Sequence, residues 1–299
     1  MYDVVIIGGS YAGLSAALQL GRARRQVLIL DAGQRRNRFA SHAHGFLGHD
    51  GEPPDSIAAK GRAQVLAYPT VSLEKLTATE VSAVPGGFSV RAGDREFRSR
   101  KLILATGVVD ELPAIEGIGE RWGSSVFHCP YCHGYELNLG RLGVLATSPH
   151  SAMHALLVSE WGGAGQTTLY LNGASEPDAQ QQALLAARNI RIERTPLIAA
   201  EGSAPSIDLR LRDGRVERLD GLFLGPRTRL PGPFAEQLGC ELEQGPTGSY
   251  IKTDFMKQTS VPGVLACGDI ANPMTTVSSA VGDGAMAGAS VHRSLVFEQ

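Results

Sequence analysis

The chain has 299 residues, 43% hydrophobic and 19% charged, with a formal net charge of −2. This is an ordinary globular balance, with material for one large domain or two of usual size, and it gives no electrostatic footing for nucleic acid or an anionic membrane surface. No apolar run is long enough to span a bilayer, and "MYDVVIIGG" enters a strand without the basic region or cleavage site of a signal peptide, so a cytoplasmic location is expected.

Val4–Ile7 is a short apolar run with β-branched residues, which predicts a buried parallel strand. A glycine-rich turn follows, then apolar residues at helical spacing from Leu14 to Arg25. A second apolar strand, Val27–Leu30, ends at Asp31. Strand, turn, helix, strand and acid in this order predict a βαβ unit that binds a dinucleotide. The glycines let backbone amides approach a pyrophosphate at the helix N-terminus, and the acid can accept bonds from ribose hydroxyls. In the pattern Gly8-x-Gly-x-x-Gly13 the middle glycine is Ser10, small enough to crowd the phosphates only slightly.

Residues 71–100 read as a small antiparallel meander with turns at 85–87 and 92–94, followed by a buried strand "KLILATG", Lys101–Gly107. "ELPAIEG" then marks a plausible crossover between domains. From Gly140 a second βαβ is expected: "LGVLAT", a helix from Ala152 to Trp161, then "TTLYLN". Its turn, "ATSPHSAM", has no glycine. Pro149 lacks an N–H and His150 adds bulk where a phosphate would approach, so this turn reads as a nucleotide fold with its phosphate loop disabled. Near the end come an apolar strand, the Gly268-Asp269 turn and a small-residue helix from about Thr276, whose glycines and alanines imply close packing.

There are four cysteines. Cys129 and Cys132 sit two residues apart in "FHCPYCHGYE", flanked by His128 and His133. In a reducing compartment a close pair is catalytic or metal-binding rather than part of a disulfide framework. A zinc site normally takes four ligands. Cys240 and Cys267 are isolated, and two histidines adjoining the two cysteines can hardly wrap a tetrahedron, so no metal is expected. The other two cysteines are expected to be buried and inert.

The Gly8–Gly13 turn, "ATG" (105–107), "CPYC" (129–132), "GD" (268–269) and "VGDGAMAGA" (281–289) occur in an order and spacing that resembles the low-molecular-weight thioredoxin reductases over nearly the whole chain. The resemblance implies an α/β, two-domain flavin disulfide oxidoreductase fold. Residues 1–113 and 230–299 would form a split, Rossmann-like FAD domain. Residues 114–229 would form an inserted, smaller Rossmann-like domain carrying the CxxC. "HCPYCHGYE" is most similar to the dithiol oxidases of the gliotoxin and holomycin type, which close disulfides in small molecules, several of them passing electrons to oxygen. The family's aspartate after the second cysteine is His133 here, and an Arg-Gln pair before the last helix is replaced by Thr275-Thr276. The NADPH loop has lost its glycines, and "LYLNGASEPDAQ" lacks the basic cluster that holds a 2′-phosphate, which argues against NAD(P)H as an ordinary donor.

By the same resemblance Cys129 is the exchange thiol and Cys132 the flavin-proximal one. His133 is the acid/base, and as imidazolium it would lower the thiol pKa. Gly8, Ser10, Gly13, Asp31, Thr106, Gly107 and Asp269 are expected to hold FAD, with Asp269 on the ribityl chain or phosphate. Thr276 begins a helix aimed at the flavin O2 region. Arg36 and Asn37 would touch FAD phosphates or ribose, or form a solvated basic loop with Arg38. His44, with His42 and His49 in "SHAHGFLGHDG", would lie near the flavin or the dithiol, or in a solvated loop; His128 reads as structural.

The expected function is FAD-dependent oxidation of a small-molecule dithiol with oxygen as acceptor, in a homodimer. The alternative is reduction of a thioredoxin-like protein with NAD(P)H or a redox protein such as ferredoxin as donor. A third class, a non-catalytic flavin redox sensor, is disfavoured by the intact CxxC, which inert binding does not need.

Overall fold

The computed structural model describes residues 1–272, 274 and 276–297. The chain divides into two compact units. The first comprises Met1–Arg38, Phe46–Val109 and Thr228–Gln299, and the second Phe39–Gly45 and Asp110–Arg227. No helix among the described residues is long and apolar enough to cross a membrane.

In the first unit β1 (Tyr2–Ile7), β2 (Val27–Leu30) and β3 (Val71–Glu74) are joined by α1 (Tyr11–Arg22) and α2 (Pro54–Leu66). The four apolar residues of β2 and the last four of β1 are buried, as a parallel strand covered on both faces requires. The meander is shorter than the sequence pattern predicts. Residues 71–74 pair in parallel with β2, the outcome of a βαβ crossover through α2. Only β4 (Ala78–Val84), β5 (Gly87–Ala92) and the start of β6 (Arg95–Leu104) run antiparallel. The expected strand at Lys101 is the second half of β6, which is one continuous strand. Its first half pairs with β5, while Leu102–Leu104 pair on that edge with Val264–Ala266; β1 takes the other edge.

The helix predicted to reach Arg25 stops at Arg22, because Arg24 takes a left-handed backbone (φ +58°) and turns the chain into β2. The C-terminal helix Val277–Phe297 lies against α1 at backbone distance. A Cβ on Gly284 would stand 2.0 Å from the Ala12 carbonyl oxygen, and one on Gly288 2.5 Å from that of Ala16. The small residues of that helix therefore serve helix packing.

In the second unit five parallel strands run in the order Arg191–Glu193, Thr167–Tyr170, Leu142–Leu145, Gly221–Leu224, Val126–Phe127. A three-stranded antiparallel sheet, Leu197–Glu201, Ile207–Leu211 and Val216–Leu219, accompanies them. A one-turn helix α3 (Pro130–His133) follows Phe127 closely, and α4 (Ser151–Val158) follows Leu142–Leu145. The sequence pattern carries α4 on to Trp161. The structure ends it at Val158, ahead of the Gly162-Gly163 pair; a Cβ at Gly163 would come 2.7 Å from the Leu139 carbonyl oxygen.

Candidate active site

The candidate side chains fall into two sets, one in each unit. In the first unit the turn between β1 and α1 is dictated by contact. Gly8 has φ +108°, and a Cβ there would lie 2.2 Å from the Ala105 carbonyl oxygen; a Cβ on Gly13 would lie 1.9 Å from that of Gly8. Ser10 occupies the N-cap of α1, yet its side chain makes no capping bond, so the amides of the first turn stay open. Asp31 secures the turn: its Oδ1 accepts the amides of Gly9 (3.3 Å) and Gly33 (3.1 Å), and Oδ2 faces Arg62 at 3.5 Å. A carboxylate has about four acceptor positions, so capacity remains for a ribose.

Arg36 Nη1 donates to Asp269 Oδ2 at 2.8 Å, joining two residues expected to meet the cofactor. Asn37 donates to the Tyr11 hydroxyl (3.1 Å), which donates to the Pro54 carbonyl (3.2 Å); the Asn37 carbonyl oxygen is buried without a partner. The Thr106 hydroxyl is likewise buried and unpaired, next to Gly107 at φ +67°. Open first-turn amides and orphaned buried oxygens on Asn37 and Thr106 suit a phosphate- and ribose-bearing group. Thr276 is engaged otherwise: its Oγ1 accepts the Ser279 amide at 3.2 Å and its amide donates to Ser279 Oγ at 2.7 Å, a reciprocal cap on the C-terminal helix. Thr275 lies outside the described residues.

In the second unit Cys129 caps α3 and Pro130 opens it, so the two cysteines are one helical turn apart; they form a disulfide with Cα atoms 5.4 Å apart. Gly134 is needed directly after, since a Cβ there would strike the Pro130 carbonyl oxygen and Trp161 Cγ, each at 2.6 Å. His133 stacks on Phe127, centroids 4.4 Å apart and planes 24° from parallel. Both its ring nitrogens are buried. Burial holds its pKa below the ordinary histidine range, against the opposing pull of the Cys129 carbonyl and the Glu136 carboxylate; His44 adds to the lowering. Desolvation favours the neutral form of the ring, which weakens it as a base but leaves it able to accept a proton.

His128 Nδ1 lies 3.4 Å from the Leu224 carbonyl oxygen. Behind it is His154 of α4, ring centroids 6.5 Å apart, held down to about 4 mainly by burial. Nothing in the sequence singles out His154, a lone histidine in the apolar run "SAMHALLV" with no periodic signal. Glu136 is equally unmarked, although that residue closes the "HCPYCHGYE" stretch. The three loop histidines separate. His44 belongs to the dithiol's unit, its Nε2 3.5 Å from Glu136 Oε1. His49 pairs with Glu52, which also binds Lys60, in the other unit. His42 Nδ1 lies 3.0 Å from Ser41 Oγ. Cys240 and Cys267 are buried thiols; burial raises both, Cys267 to about 12. Among the described residues no group of three or more His, Cys, Asp or Glu is placed to hold a metal ion.

The turn before α4 is the counterpart of the Gly8–Gly13 turn, and it is closed. Ser151 Oγ accepts the amides of Thr147 (3.0 Å) and Ser148 (3.2 Å), Ser148 Oγ faces the amide of His150 (3.3 Å), and the Ser151 amide bonds the Ser148 carbonyl. Beyond Thr167–Tyr170, Arg194 reaches the chain but is tied in a two-pronged pair to Glu176.

A dinucleotide cradle and a Cys-x-x-Cys disulfide on separate α/β units define a disulfide oxidoreductase. The pyridine nucleotide-disulphide oxidoreductase family matches residues 2–153, and the chain belongs to it. It is 34% identical to thioredoxin reductase sirT of Leptosphaeria maculans, over 98% of this chain and 94% of that protein, and 33% identical to thioredoxin reductase tcpT of Claviceps purpurea, over 96% and 92%. Among solved structures it resembles an oxidoreductase from Agrobacterium tumefaciens (55% identity, TM-score 0.95, covering 100% and 99%) and HlmI (35%, 0.91, 99% and 92%). The protein is a thioredoxin reductase-like, FAD-dependent enzyme, and the cradle of the first unit fits that cofactor.

Proposed function

We propose that the protein oxidises small-molecule dithiols to disulfides, its Cys129–Cys132 pair accepting the electrons and oxygen receiving them in the end. One observation carries this reading: the turn that would hold the pyrophosphate of NAD(P)H has its amides taken up by Ser151 and Ser148. Electrons then have to enter through the thiols. On this reading the first unit holds FAD through Gly8, Ser10, Gly13, Asp31, Arg36, Asn37, Thr106, Gly107 and Asp269, and the second unit works on the substrate.

A substrate thiol loses its proton to neutral His133, and its sulfur attacks one sulfur of the Cys129–Cys132 bond. That bond breaks, and the other cysteine leaves with the electron pair. The second substrate thiol then displaces the first cysteine from the mixed disulfide, closing the substrate disulfide and leaving both cysteines reduced. When bound, FAD supplies the two-electron acceptor that restores the enzyme disulfide, with oxygen going to hydrogen peroxide. A homodimer in the cytoplasm completes the reading, by resemblance to the dimeric family and because the remaining cysteines are buried thiols rather than a disulfide framework.

The relatives' name favours a second reading, reduction of a thioredoxin-like protein by NAD(P)H or ferredoxin. Anaerobic mixing of the flavin-loaded enzyme with NADPH, NADH, reduced ferredoxin or dithiothreitol separates the two. Dithiothreitol should bleach the flavin, and micromolar NADPH should bleach it slowly or not at all. Fast bleaching by NADPH, at rates like those of ordinary reductases, overturns the proposal in favour of the reductase.

A further inference from the structure

Helix α2 is joined to the loop after β2 by polar contacts. Its apolar face is thin, with only Pro54, Ile57, Ala58 and Val65 buried. Three polar links tie it to residues 31–37. Arg62 Nη2 faces Asp31 Oδ2 at 3.5 Å. Arg35 Nη2 pairs with Asp55 Oδ1 in the helix's first turn. Asn37 reaches the Pro54 carbonyl through the Tyr11 hydroxyl. Asp55 and Arg62 stand seven residues apart, about two turns, and so share one stripe of the helix. Along that stripe each carboxylate meets a guanidinium of the opposite segment.

Both guanidiniums keep one donor unused. Nε of Arg62 and Nε of Arg35 are buried and have no hydrogen-bond partner. A guanidinium N–H can only donate, and a buried donor without an acceptor is costly. For Arg62 the place of that donor matters, because it stands beside the one carboxylate that the cradle offers to a ribose. Asp31 already accepts the amides of Gly9 and Gly33, and as an ionised carboxylate it can only accept. A ribose hydroxyl needs more than an acceptor. It donates one hydrogen bond and can itself accept others.

We propose that Arg62 completes the ribose site of the FAD cradle: Asp31 accepts from the adenosine ribose and Arg62 donates to it, while the Arg35–Asp55 pair holds α2, and with it Arg62, in register with Asp31. The inference rests on the reading of Asp31 as the ribose acid. Arg62 is a cofactor-binding residue; Arg35 and Asp55 are positioning residues that act through it. Acid and guanidinium together address a hydroxyl as donor and as acceptor, which neither does alone. The link also gives α2 a purpose that its few buried apolar residues do not supply.

The test needs no turnover. Full-length protein stripped of flavin is titrated with FAD by quenching of flavin fluorescence, and with ADP by competition against FAD. Arg62→Met keeps an apolar stem and removes every donor. It should weaken both FAD and ADP on the order of tenfold, the scale of one hydrogen bond to a charged group. With either 2′-deoxy-ADP or 3′-deoxy-ADP, whichever lacks the hydroxyl that Arg62 meets, wild type and variant should bind alike. Asp55→Asn should show the same selective pattern at smaller size. Structural damage alone would weaken ADP and both deoxy nucleotides together. Arg62→Leu carries the same comparison should Arg62→Met fail to fold. If the Arg62 variant binds FAD and ADP like wild type, or loses both deoxy nucleotides as much as ADP, the proposal is overturned while Asp31→Asn still weakens ADP. An Asp55→Asn protein that binds like wild type removes the positioning role. Should Asp31→Asn itself bind ADP like wild type, the ribose reading of Asp31 fails and the partnership with it.

Discussion

At His133 the stack on Phe127 fixes the ring, so in the proposed mechanism packing supplies the orientation of the base. His133→Ala should therefore keep the Cys129–Cys132 disulfide and slow dithiol turnover by about a hundredfold or more, the range for a lost acid–base group. The rate should recover in part at high pH, where substrate thiols ionise unaided; a variant as slow at high pH as at neutral pH counts against the assignment. His154 makes a different statement, about stability. Its pKa falls from 6.5 in the unfolded chain to about 4 in the fold, so the unfolded state binds more protons between those values. Stability is then full above about pH 6.5 and is lost as the pH drops towards 4. His154→Leu should lessen the fall in melting temperature across that window, and an undiminished fall shows that other groups carry it. The dithiol and its two flanking histidines are visible in the sequence because four chemical side chains crowd into six residues. His154 is not, since what brings it beside His128 is the packing of α4; His44 is visible only as one of three loop histidines, because it is the fold that sets it beside Glu136.

Elements were legible to the degree that backbone contact dictates their residues. Gly8 and Gly13 have no substitute at 2.2 and 1.9 Å from carbonyl oxygens, and the turn they form reads off the chain directly. Helix α2 escaped notice because its inner face is thin: among its thirteen residues only Pro54, Ile57, Ala58 and Val65 are buried. Without a visible α2, the sequence of β3 reads as part of the meander rather than as the third parallel strand. The double life of β6 was hidden for another reason, since nothing in ten consecutive residues marks where one neighbour ends and the next begins. Ser151 is equally silent in sequence, one small polar residue among several. The contact between α1 and the C-terminal helix supplies a prediction at this scale. Gly284→Ala places a methyl about where the Ala12 carbonyl oxygen stands, and main chain cannot retreat as a flexible side chain can. The cost should be ~1–3 kcal/mol or more in chemical denaturation, with weakened flavin retention because α1 carries the cradle's open amides. An unchanged denaturation midpoint means that the helices separate freely.

At the scale of the whole molecule, the proposed function gives binding and exchange to different stretches of chain. The cradle residues Gly8, Ser10, Gly13, Asp31, Arg36, Asn37, Thr106, Gly107 and Asp269 all lie in the first unit, and Cys129, Cys132, His133, Glu136 and His44 all lie in the second. Each unit has its own parallel sheet and its own buried cores, so a change in one side chain of the second need not reach the glycine turn of the first. The prediction is a clean separation of two measurements. Cys129→Ser and Cys132→Ser should each abolish dithiol-dependent oxygen uptake, because exchange needs both sulfurs, one to form the mixed disulfide and one to leave. Both variants should still purify yellow, with FAD released on denaturation in the same ratio to protein as wild type. Gly13→Ala should do the reverse: its methyl would stand on the Gly8 carbonyl oxygen, the turn would open and FAD would be lost, while the Cys129–Cys132 bond could still be formed and counted by thiol titration. Loss of FAD in either cysteine variant, with the protein otherwise folded, shows that the dithiol's unit helps to hold the cofactor, and the division of labour drawn here then fails.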